Sequence, residues 1–336
     1  MGTGTHTDAG LSPLRQVAEN LTDLAAALTT GPDPVVAPAA VEVVLDARHP
    51  GEVLDRIALQ PPSKRILFYY SGHGMSQDQR LYLALPDSKD DARHRVRTGL
   101  PIADVFEQLA IDPPHRRQAV VILDCCYAGL AVREAEAADM HLLMAVGKAH
   151  KARYEAAGRN TLFTAALLGL LRQGIPGGRS HLDLGTVYRT LAAELSRADG
   201  GTLTPHQRAV DASADIPLAV NPSAGIATTP DTLKRRARLA QDIGMAGDPE
   251  AAARLFVAIV RDATEAARVE RADVFLYTAI SAAWRGKAGD AAAAVQTLTE
   301  LLSGDLYGCR AIDVEEARAS LEYWTRRSPT PRRPPW

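Results

Sequence analysis

Short apolar runs punctuate the first two thirds of the chain, and each has the length of a β-strand. Three of them are rich in Val, Ile, Leu and Tyr and are apolar on both faces: residues 41–47 (VEVVLDA), 65–72 (RILFYYSG) and 118–125 (QAVVILDC). Such runs are typical of parallel strands that helices cover on both sides. We therefore predict three buried, parallel strands at these positions.

Helical periodicity fills the intervals between these runs. It predicts helices over residues 12–29, 50–58, 101–110, 161–174 and 184–198. Further short runs predict a small hairpin or extra strand at 81–86 and later strands at 141–148 and 216–221. Strands that alternate with helices predict an α/β fold, built on an open, mostly parallel sheet flanked by helices.

The pattern changes after about residue 222, and this change sets the predicted domain organisation. We predict an α/β domain over residues 1–222, a linker of low hydrophobicity over 223–231 and an all-α domain over 232–327. The proline-rich remainder, residues 328–336, is predicted to be a disordered tail.

Two stretches of the all-α domain resemble each other. Residues 239–256 and 281–298 each form a pattern of helix, Gly-Asp turn and helix, and the turns lie 42 residues apart, from Gly247 to Gly289. A tetratricopeptide unit is shorter, at about 34 residues, so we predict tetratricopeptide-like helical hairpins rather than a strict repeat. Stacked hairpins offer concave surfaces, so this domain is expected to recruit a protein partner or to sense a signal.

Composition narrows the function classes. With 46% hydrophobic and 23% charged residues, the 336-residue chain has the composition of a globular protein of one or two domains. Its formal net charge of -2 argues against nucleic acid or a membrane surface as the partner. No apolar run approaches the roughly 20 residues of a membrane span, and the N-terminus has no export signal, so we expect a cytoplasmic protein.

The cysteine content excludes two kinds of structural site. Cys125, Cys126 and Cys309 are too few for a disulfide framework, and a bond between the adjacent Cys125 and Cys126 would be strained. The sequence has no C-x-x-C pair and no histidines at ligand spacing, so we expect no structural zinc site.

A histidine and the paired cysteines directly follow two of the predicted strands. His73 lies between two glycines after the first of these strands, and Cys125 and Cys126 end the second. The carboxyl ends of parallel strands meet at one edge of a sheet, so an imidazole and a thiol are expected side by side. An adjacent imidazole can hold the proton of a thiol, whose ordinary pKa of about 8.5 keeps it mostly protonated. The Gly74 N–H, with that of the nucleophile, would form an oxyanion hole.

Two motifs at these strand ends resemble those of caspase-like cysteine peptidases, especially bacterial caspase-family proteins and metacaspases. They are SGHG at 71–74 preceded by ILFYY, and DCCYAG at 124–129 preceded by VVIL. Their histidine and second cysteine lie 53 residues apart, from His73 to Cys126, near the roughly 50 residues of caspases. The resemblance covers about residues 3–222 and excludes the helical domain. It implies a caspase-like fold and a cysteine endopeptidase that cleaves protein or peptide substrates.

The resemblance also assigns roles at the strand ends. In the metacaspase-type motif Asp-X-Cys-X-X-Gly the third residue is the nucleophile, which implies Cys126 as nucleophile and His73 as general acid and base. The backbone N–H groups of Gly74 and Cys126 would hold the oxyanion. Cys125 is then a small buried residue at the strand end. Ala128 replaces the serine that is common in this motif, whereas its Cys and Gly are intact.

Cleavage after Arg or Lys is a further implication of the resemblance. In metacaspases the residue that matches Asp124 lines the pocket for the residue before the scissile bond, where a carboxylate pairs with a guanidinium. Asp87, in ALPDS, is a second candidate for this pocket. The alternative for Asp124 is structural: its carboxylate accepts hydrogen bonds from nearby backbone N–H groups and braces the loop.

No cofactor is expected. Some metacaspases bind calcium, and the acidic cluster at 86–94 (PDSKDDARH) is a candidate, but it lacks the ordered spacing of a calcium loop. The basic residues after the nucleophile admit two interpretations, a solvated loop or sites of self-cleavage. These residues are Arg133, Lys148, Lys151, Arg153 and Arg159.

The start of the sequence leaves one question open. Caspase-family members usually begin with an apolar strand just before the segment that matches GTGTHTDAGL, and this sequence starts at that point. Either the natural chain begins further upstream, or the first strand is missing. A missing strand would leave an apolar slot in the sheet and weaken the site. The alternative function is therefore a catalytically impaired caspase-like interaction or signalling protein, in which the helical domain carries the function.

Overall fold

The computed structural model describes residues 1–30, 35–61, 63, 65–111, 118–138, 140–145, 158–176, 178–198, 205–208, 216–224, 228–266 and 268–328. The chain divides into two compact units, one of Met1–Gly174 with Gly178–Pro222 and the other of Ser223–Trp336 with Ile175–Gly177. The predicted linker lies partly outside the described residues, and so does the predicted tail beyond residue 328.

The first unit combines strands and helices. Its described strands are β1 (Arg65–Ser71), β2 (Gly74–Gln77), β3 (Arg80–Leu83), β4 (Leu100–Pro101), β5 (Gln118–Asp124), β6 (His141–Met144), β7 (His181–Asp183), β8 (His206–Arg208) and β9 (Pro217–Val220). Its described α-helices are α1 (Gln16–Thr29), α2 (Pro50–Ala58), α3 (Arg95–Thr98), α4 (Ile102–Ala110), α5 (Val132–Ala138), α6 (Leu162–Gln173) and α7 (Leu184–Ala198).

The main sheet has the strand order β1-β5-β6-β8 in the described part of the chain. β1, β5 and β6 run parallel, and β8 is antiparallel to β6. All residues of β5 after Gln118 are buried, because helices cover both faces of a parallel sheet and the strand is apolar throughout. The predicted α/β class with a mostly parallel sheet is therefore confirmed. Smaller sheets, β2-β3-β4 and β7-β9, lie beside it.

The strand predicted at 41–47 is wrong. Within that segment only Leu45 pairs, through a parallel bridge to Gly2, which also bridges Ser71 at the end of β1. Val43 and Leu45 are about half exposed, at 50% and 46%. A strand needs a continuous hydrogen-bonded neighbour, and Gly2 meets this segment at one point only.

Met1, residues 41–44 and β1 line one cavity of the first unit. Its volume is about 510 Å³, and apolar side chains such as Leu24, Leu28 and Phe68 line much of it.

The second unit is built from helices. Those described are α8 (Pro230–Met245), α9 (Pro249–Glu265), α10 (Arg271–Lys287), α11 (Ala291–Ser303) and α12 (Ala311–Thr325). Each contacts the next along the chain. Asp248 and Asp290 cap α9 and α11 by accepting the N–H of the third residue of each helix, so the two Gly-Asp turns have the same local structure. None of the described helices combines the length and apolar character that a membrane span requires.

Candidate active site

The site begins where β1 and β5 end side by side. Ser71 and Asp124 form the last registered pair of these parallel strands. His73 follows Ser71 by two residues and Cys126 follows Asp124 by two, and both line one cleft of about 920 Å³. The structure thus brings together the histidine and the cysteine that the sequence singled out.

The tautomer of His73 follows from its hydrogen bond. Its Nε2 lies 2.8 Å from the backbone carbonyl oxygen of Ser12. A carbonyl oxygen only accepts hydrogen bonds, so Nε2 carries the proton and, in the neutral ring, Nδ1 carries the lone pair. Ser12 lies in the loop before α1, 61 residues from His73 in sequence, and the sequence gives no signal of this contact.

The two adjacent cysteines occupy different environments. Cys125 is fully buried, and this burial raises the pKa of its thiol well above the ordinary value. Cys126 is 8% exposed and lies on the cleft wall. The next residue, Tyr127, has a φ of 58°, in the left-handed region that costs a non-glycine residue about 1–2 kcal/mol. The chain therefore turns sharply after Cys126, a geometry that presents the residue at the turn to the cleft.

Gly74 is required by the close approach of two backbones. A Cβ atom at this position would lie 2.0 Å from the carbonyl oxygen of Cys126. Ala84 N–H donates to the carbonyl of His73 over 3.0 Å, so these two residues form a hydrogen-bonded pair. In an antiparallel ladder, hydrogen-bonded pairs alternate with pairs that exchange no hydrogen bond. The next pair, Gly74 with Leu83, is therefore a non-hydrogen-bonded pair, and the Gly74 N–H is directed away from β3.

Charged side chains of both signs face the cleft. Arg95 Nε donates to the Asp90 carboxylate over 2.7 Å, and Arg159 pairs with Glu19. Arg15 also lines the cleft and is exposed. Four of these residues have no signal in the sequence that would place them in the site: Glu19, Asp90, Arg15 and Arg95. They come from α1, the loop before it and the α3 region, and no local pattern links these segments to the strand ends.

The two predicted substrate-binding carboxylates are not among the cleft residues. Asp124 is 2% exposed, and its Oδ2 accepts hydrogen bonds from Thr161 Oγ1, from Thr164 Oγ1 over 2.8 Å and from the Tyr69 hydroxyl over 3.4 Å. Burial raises the pKa of Asp124, although the three hydroxyl groups act in the opposite direction. Asp87 is exposed and does not line the cleft. The hydrogen-bond donors to Asp124 are side-chain hydroxyls. A structural role for Asp124 was expected to use nearby backbone N–H groups instead.

Of the basic residues that follow the nucleophile, Arg159 lies on the cleft wall. Its Nε and a terminal nitrogen donate to the two carboxylate oxygens of Asp23 over 2.9 and 3.1 Å, in a two-point pair. Arg133 is exposed on α5. The other three, Lys148, Lys151 and Arg153, lie outside the described residues.

The acidic cluster at 86–94 forms internal pairs. The Asp91 carboxylate lies 2.7 Å from His94 Nδ1, and the Asp90 carboxylate lies at the same distance from Arg95 Nε. Among the described residues no three His, Cys, Asp or Glu side chains are grouped so as to hold a metal ion.

Comparison with known proteins assigns the α/β unit to a family. A family model described as the caspase domain matches residues 37–216, more than half of the chain. No curated protein matches the sequence significantly.

Proposed function

We propose that this chain, which belongs to the caspase domain family and is therefore a cysteine-type peptidase, cleaves internal peptide bonds with Cys126 and His73. The observation that carries the assignment is the hydrogen bond from His73 Nε2 to the Ser12 carbonyl. It fixes the tautomer in which Nδ1 can accept the thiol proton, on a ring that shares the cleft with Cys126.

The reaction has two stages. In the first, Nδ1 of His73 takes the thiol proton, the Cys126 sulfur bonds to the carbonyl carbon, and the peptide C–N bond breaks as the imidazolium protonates the leaving amine. In the second, His73 removes a proton from water, the water oxygen bonds to the thioester carbon, and the C–S bond breaks. The thiolate then regains the proton from His73.

The oxyanion of each stage needs hydrogen-bond donors at the strand ends. We assign this role to the backbone N–H groups of Gly74 and Cys126. Support comes from Gly74, whose N–H is directed away from β3 and whose Cα lies against the backbone of Cys126. Removing one such donor typically costs about 10²-fold or more in kcat.

A preference for Arg or Lys at the cleaved position is the second part of the proposal. The carboxylates of Glu19 and Asp90 line the cleft and can pair with a substrate cation. Both already pair with arginines of the chain, so a substrate must compete for them. Asp124, which the family resemblance implies, is buried, and one of its hydroxyl donors would have to be displaced before it could pair with a substrate cation.

Fluorogenic peptides that differ only in Arg, Lys or Asp before the scissile bond test this proposal. Hydrolysis after Arg or Lys that disappears in Cys126→Ala and in His73→Ala is the expected result. Cleavage after Asp alone would exclude the basic preference, and unchanged hydrolysis in Cys126→Ala would exclude the dyad.

Two further variants locate the specificity-determining carboxylate. Glu19→Gln or Asp124→Asn should lower kcat/KM for Arg and Lys peptides by about tenfold or more if that carboxylate contacts the substrate cation. An equal loss on all peptides would indicate a structural role. An arginyl chloromethylketone should label Cys126, and no labelling of a folded sample would favour the catalytically impaired alternative.

The helical unit is proposed to recruit a protein partner. The unit exposes large apolar side chains, among them Tyr307 in the turn before α12 and Ile312 within α12, at 87% and 64%. Proteins that co-purify with full-length Cys126→Ala should be lost when Tyr307 or Ile312 is changed to Asp. They should be retained with Leu59→Asp, a matched change at an exposed position of the first unit. Equal loss in all three variants would contradict this role.

A further inference from the structure

A second histidine packs against the proposed catalytic one. The ring centroids of His6 and His73 are 5.0 Å apart, and the ring planes meet at 62° in an edge-to-face arrangement. Both ring nitrogens of His6 are buried and have no hydrogen-bond partner among the described residues. Burying unsatisfied polar atoms costs free energy, so these two nitrogens of a partly buried residue call for a specific explanation.

The loop that carries His6 is fixed on both sides of it. The backbone N–H and the hydroxyl of Thr5 donate to the Asp46 carboxylate over 3.2 and 2.8 Å. Thr7 N–H donates to the carbonyl of Pro86 over 2.9 Å. These hydrogen bonds hold the backbone on both sides of His6 in place, so its ring can leave His73 only by rotation about its own side-chain bonds.

The ring of His6 gives His73 a restraint besides the Ser12 carbonyl. The hydrogen bond at Nε2 sets the tautomer and one direction of the ring, but this bond by itself does not determine the angle of the ring plane. An aromatic edge-to-face contact opposes this turning, because it is favourable only over a limited range of plane angles. Proton transfer from Cys126 depends on the plane of the His73 ring, because the lone pair of Nδ1 lies in that plane.

We propose that His6 is a positioning residue, whose ring holds His73 in the plane in which Nδ1 meets the Cys126 thiol. This inference rests on the proposed Cys126 and His73 chemistry. Burial lowers the pKa of His6 to about 4, and the neighbouring His73 contributes to this decrease. The Asp46 carboxylate acts in the opposite direction. His6 is thus neutral near pH 7 and adds no charge repulsion when His73 takes up the thiol proton.

Two substitutions of His6 distinguish the effect of an aromatic ring from the effect of side-chain volume. His6→Phe keeps an aromatic ring and removes the two unsatisfied nitrogens, whereas His6→Leu keeps comparable bulk without a ring. On the peptide that the wild type cleaves fastest, we expect kcat of H6F within about threefold of wild type. For H6L we expect kcat to fall by about tenfold to a hundredfold, with KM changed by less than about threefold.

The pH dependence of Cys126 alkylation is a measurement that a purely structural role of His6 would not change. The pH at which iodoacetamide alkylation of Cys126 accelerates should rise in H6L and not in H6F, because a misaligned imidazole stabilises the thiolate less. His49→Leu, at an exposed histidine that precedes α2, is the matched control and should behave as wild type. Thermal unfolding checks that each variant is folded, and His6→Met replaces H6L if that variant does not fold.

The outcomes distinguish this inference from the proposed function. Wild-type kcat in the ringless variant, or equal losses in H6F and in that variant, would overturn the role of His6. If Cys126→Ala is inactive while the ringless variant has wild-type kcat, the dyad stands and His6 has no positioning role. If Cys126→Ala retains activity, the dyad itself fails.

Discussion

His73 and Cys126 stand at equal distances beyond a registered strand pair, each two residues after Ser71 and Asp124 respectively. Neighbouring parallel strands lie about 4.8 Å apart, so the register of β1 and β5 brings both residues to the same place on the sheet edge. A one-residue slip would turn the side chains of one strand to the opposite faces. His73 and Cys126 are 53 residues apart in sequence, and so are the paired residues Ser71 and Asp124. The spacing of the histidine and the cysteine therefore matches the register in which β1 and β5 pair.

Cys125 and Cys126 should differ sharply in reactivity. The burial that raises the pKa of Cys125 makes its thiolate scarce and keeps reagents out, whereas Cys126 lines the cleft. Iodoacetamide at about pH 8, followed by peptide mass analysis, should modify Cys126 and spare Cys125 in the folded protein. Both should react after unfolding in guanidinium. Comparable rates at the two positions in the folded protein would contradict this prediction.

The same pair provides a matched test of catalysis. Cys125→Ala should keep peptidase activity within about threefold, because its side chain contacts core residues rather than the cleft. Cys126→Ala should lower kcat by about 10³-fold or more, as removal of a nucleophile does in other peptidases. Initial rates on one fluorogenic peptide decide between the two. A larger loss in Cys125→Ala would move the nucleophile to that position.

Gly74→Ala should damage both stability and activity. The added Cβ would lie 2.0 Å from the carbonyl oxygen of Cys126, so one of the two strand ends must move. We expect the free energy of unfolding to fall by about 1–3 kcal/mol and kcat to fall more than tenfold, since the proposed oxyanion donor shifts. Gly51→Ala is the control, because nothing lies within 4 Å of its Cβ position in α2. Urea unfolding and peptidase assays measure both effects, and wild-type behaviour of Gly74→Ala would exclude the close approach.

Asp124 should make stability depend on pH. Burial raises its pKa in the folded state, so the folded protein binds the proton more tightly than the unfolded chain. Its contribution is fully present below the unfolded pKa of about 3.9 and is lost as the pH rises through the higher folded pKa. The free energy of unfolding of wild type, minus that of Asp124→Asn, should therefore fall as the pH rises through this window.

Urea unfolding at a series of pH values measures this difference. Asp87→Asn, which removes an exposed carboxylate, is the matched control for the loss of one negative charge. A difference for Asp124→Asn that grows with rising pH would show that the carboxylate is stabilised in its charged form.

Two glycines of the helical unit should resist replacement by alanine. A Cβ at Gly244 would lie 2.4 Å from the ring of Trp284, and one at Gly286 would lie 2.4 Å from the ring of Trp324. Alanine normally stabilises a helix interior by about 1 kcal/mol relative to glycine. Here the clash should outweigh this gain and lower the free energy of unfolding by about 1–3 kcal/mol.

Gly169→Ala in α6 is the control for that pair, because no atom lies within 4 Å of its Cβ position. It should raise stability by about 0.5–1 kcal/mol. Thermal and urea unfolding compare the three variants. A gain in stability for Gly244→Ala or Gly286→Ala would mean that the tryptophan rings do not pack on these glycines.

The sequence alone was sufficient for the α/β class and for the elements that position the site. β1 and β5 are apolar at nearly every position, a pattern that buried parallel strands impose, and the polar residues that follow them mark the sheet edge. Residues 41–47 have a similar pattern, but a strand also needs a neighbour along its whole length. The pattern of residues within a segment does not show whether a neighbouring strand is present. In the structure this segment has only the bridge to Gly2.

Only the tertiary structure shows which residues from distant parts of the chain surround the ends of β1 and β5. Ser12 and His6 reach His73 from the loop before α1, and the contact of Ser12 spans 61 residues of sequence. Likewise, the DCC motif cannot tell whether Asp124 faces a substrate or the hydroxyls of α6 and its N-cap, because both uses require the same carboxylate. Local patterns determine which residues form strands and helices, whereas contacts between distant loops depend on packing in three dimensions.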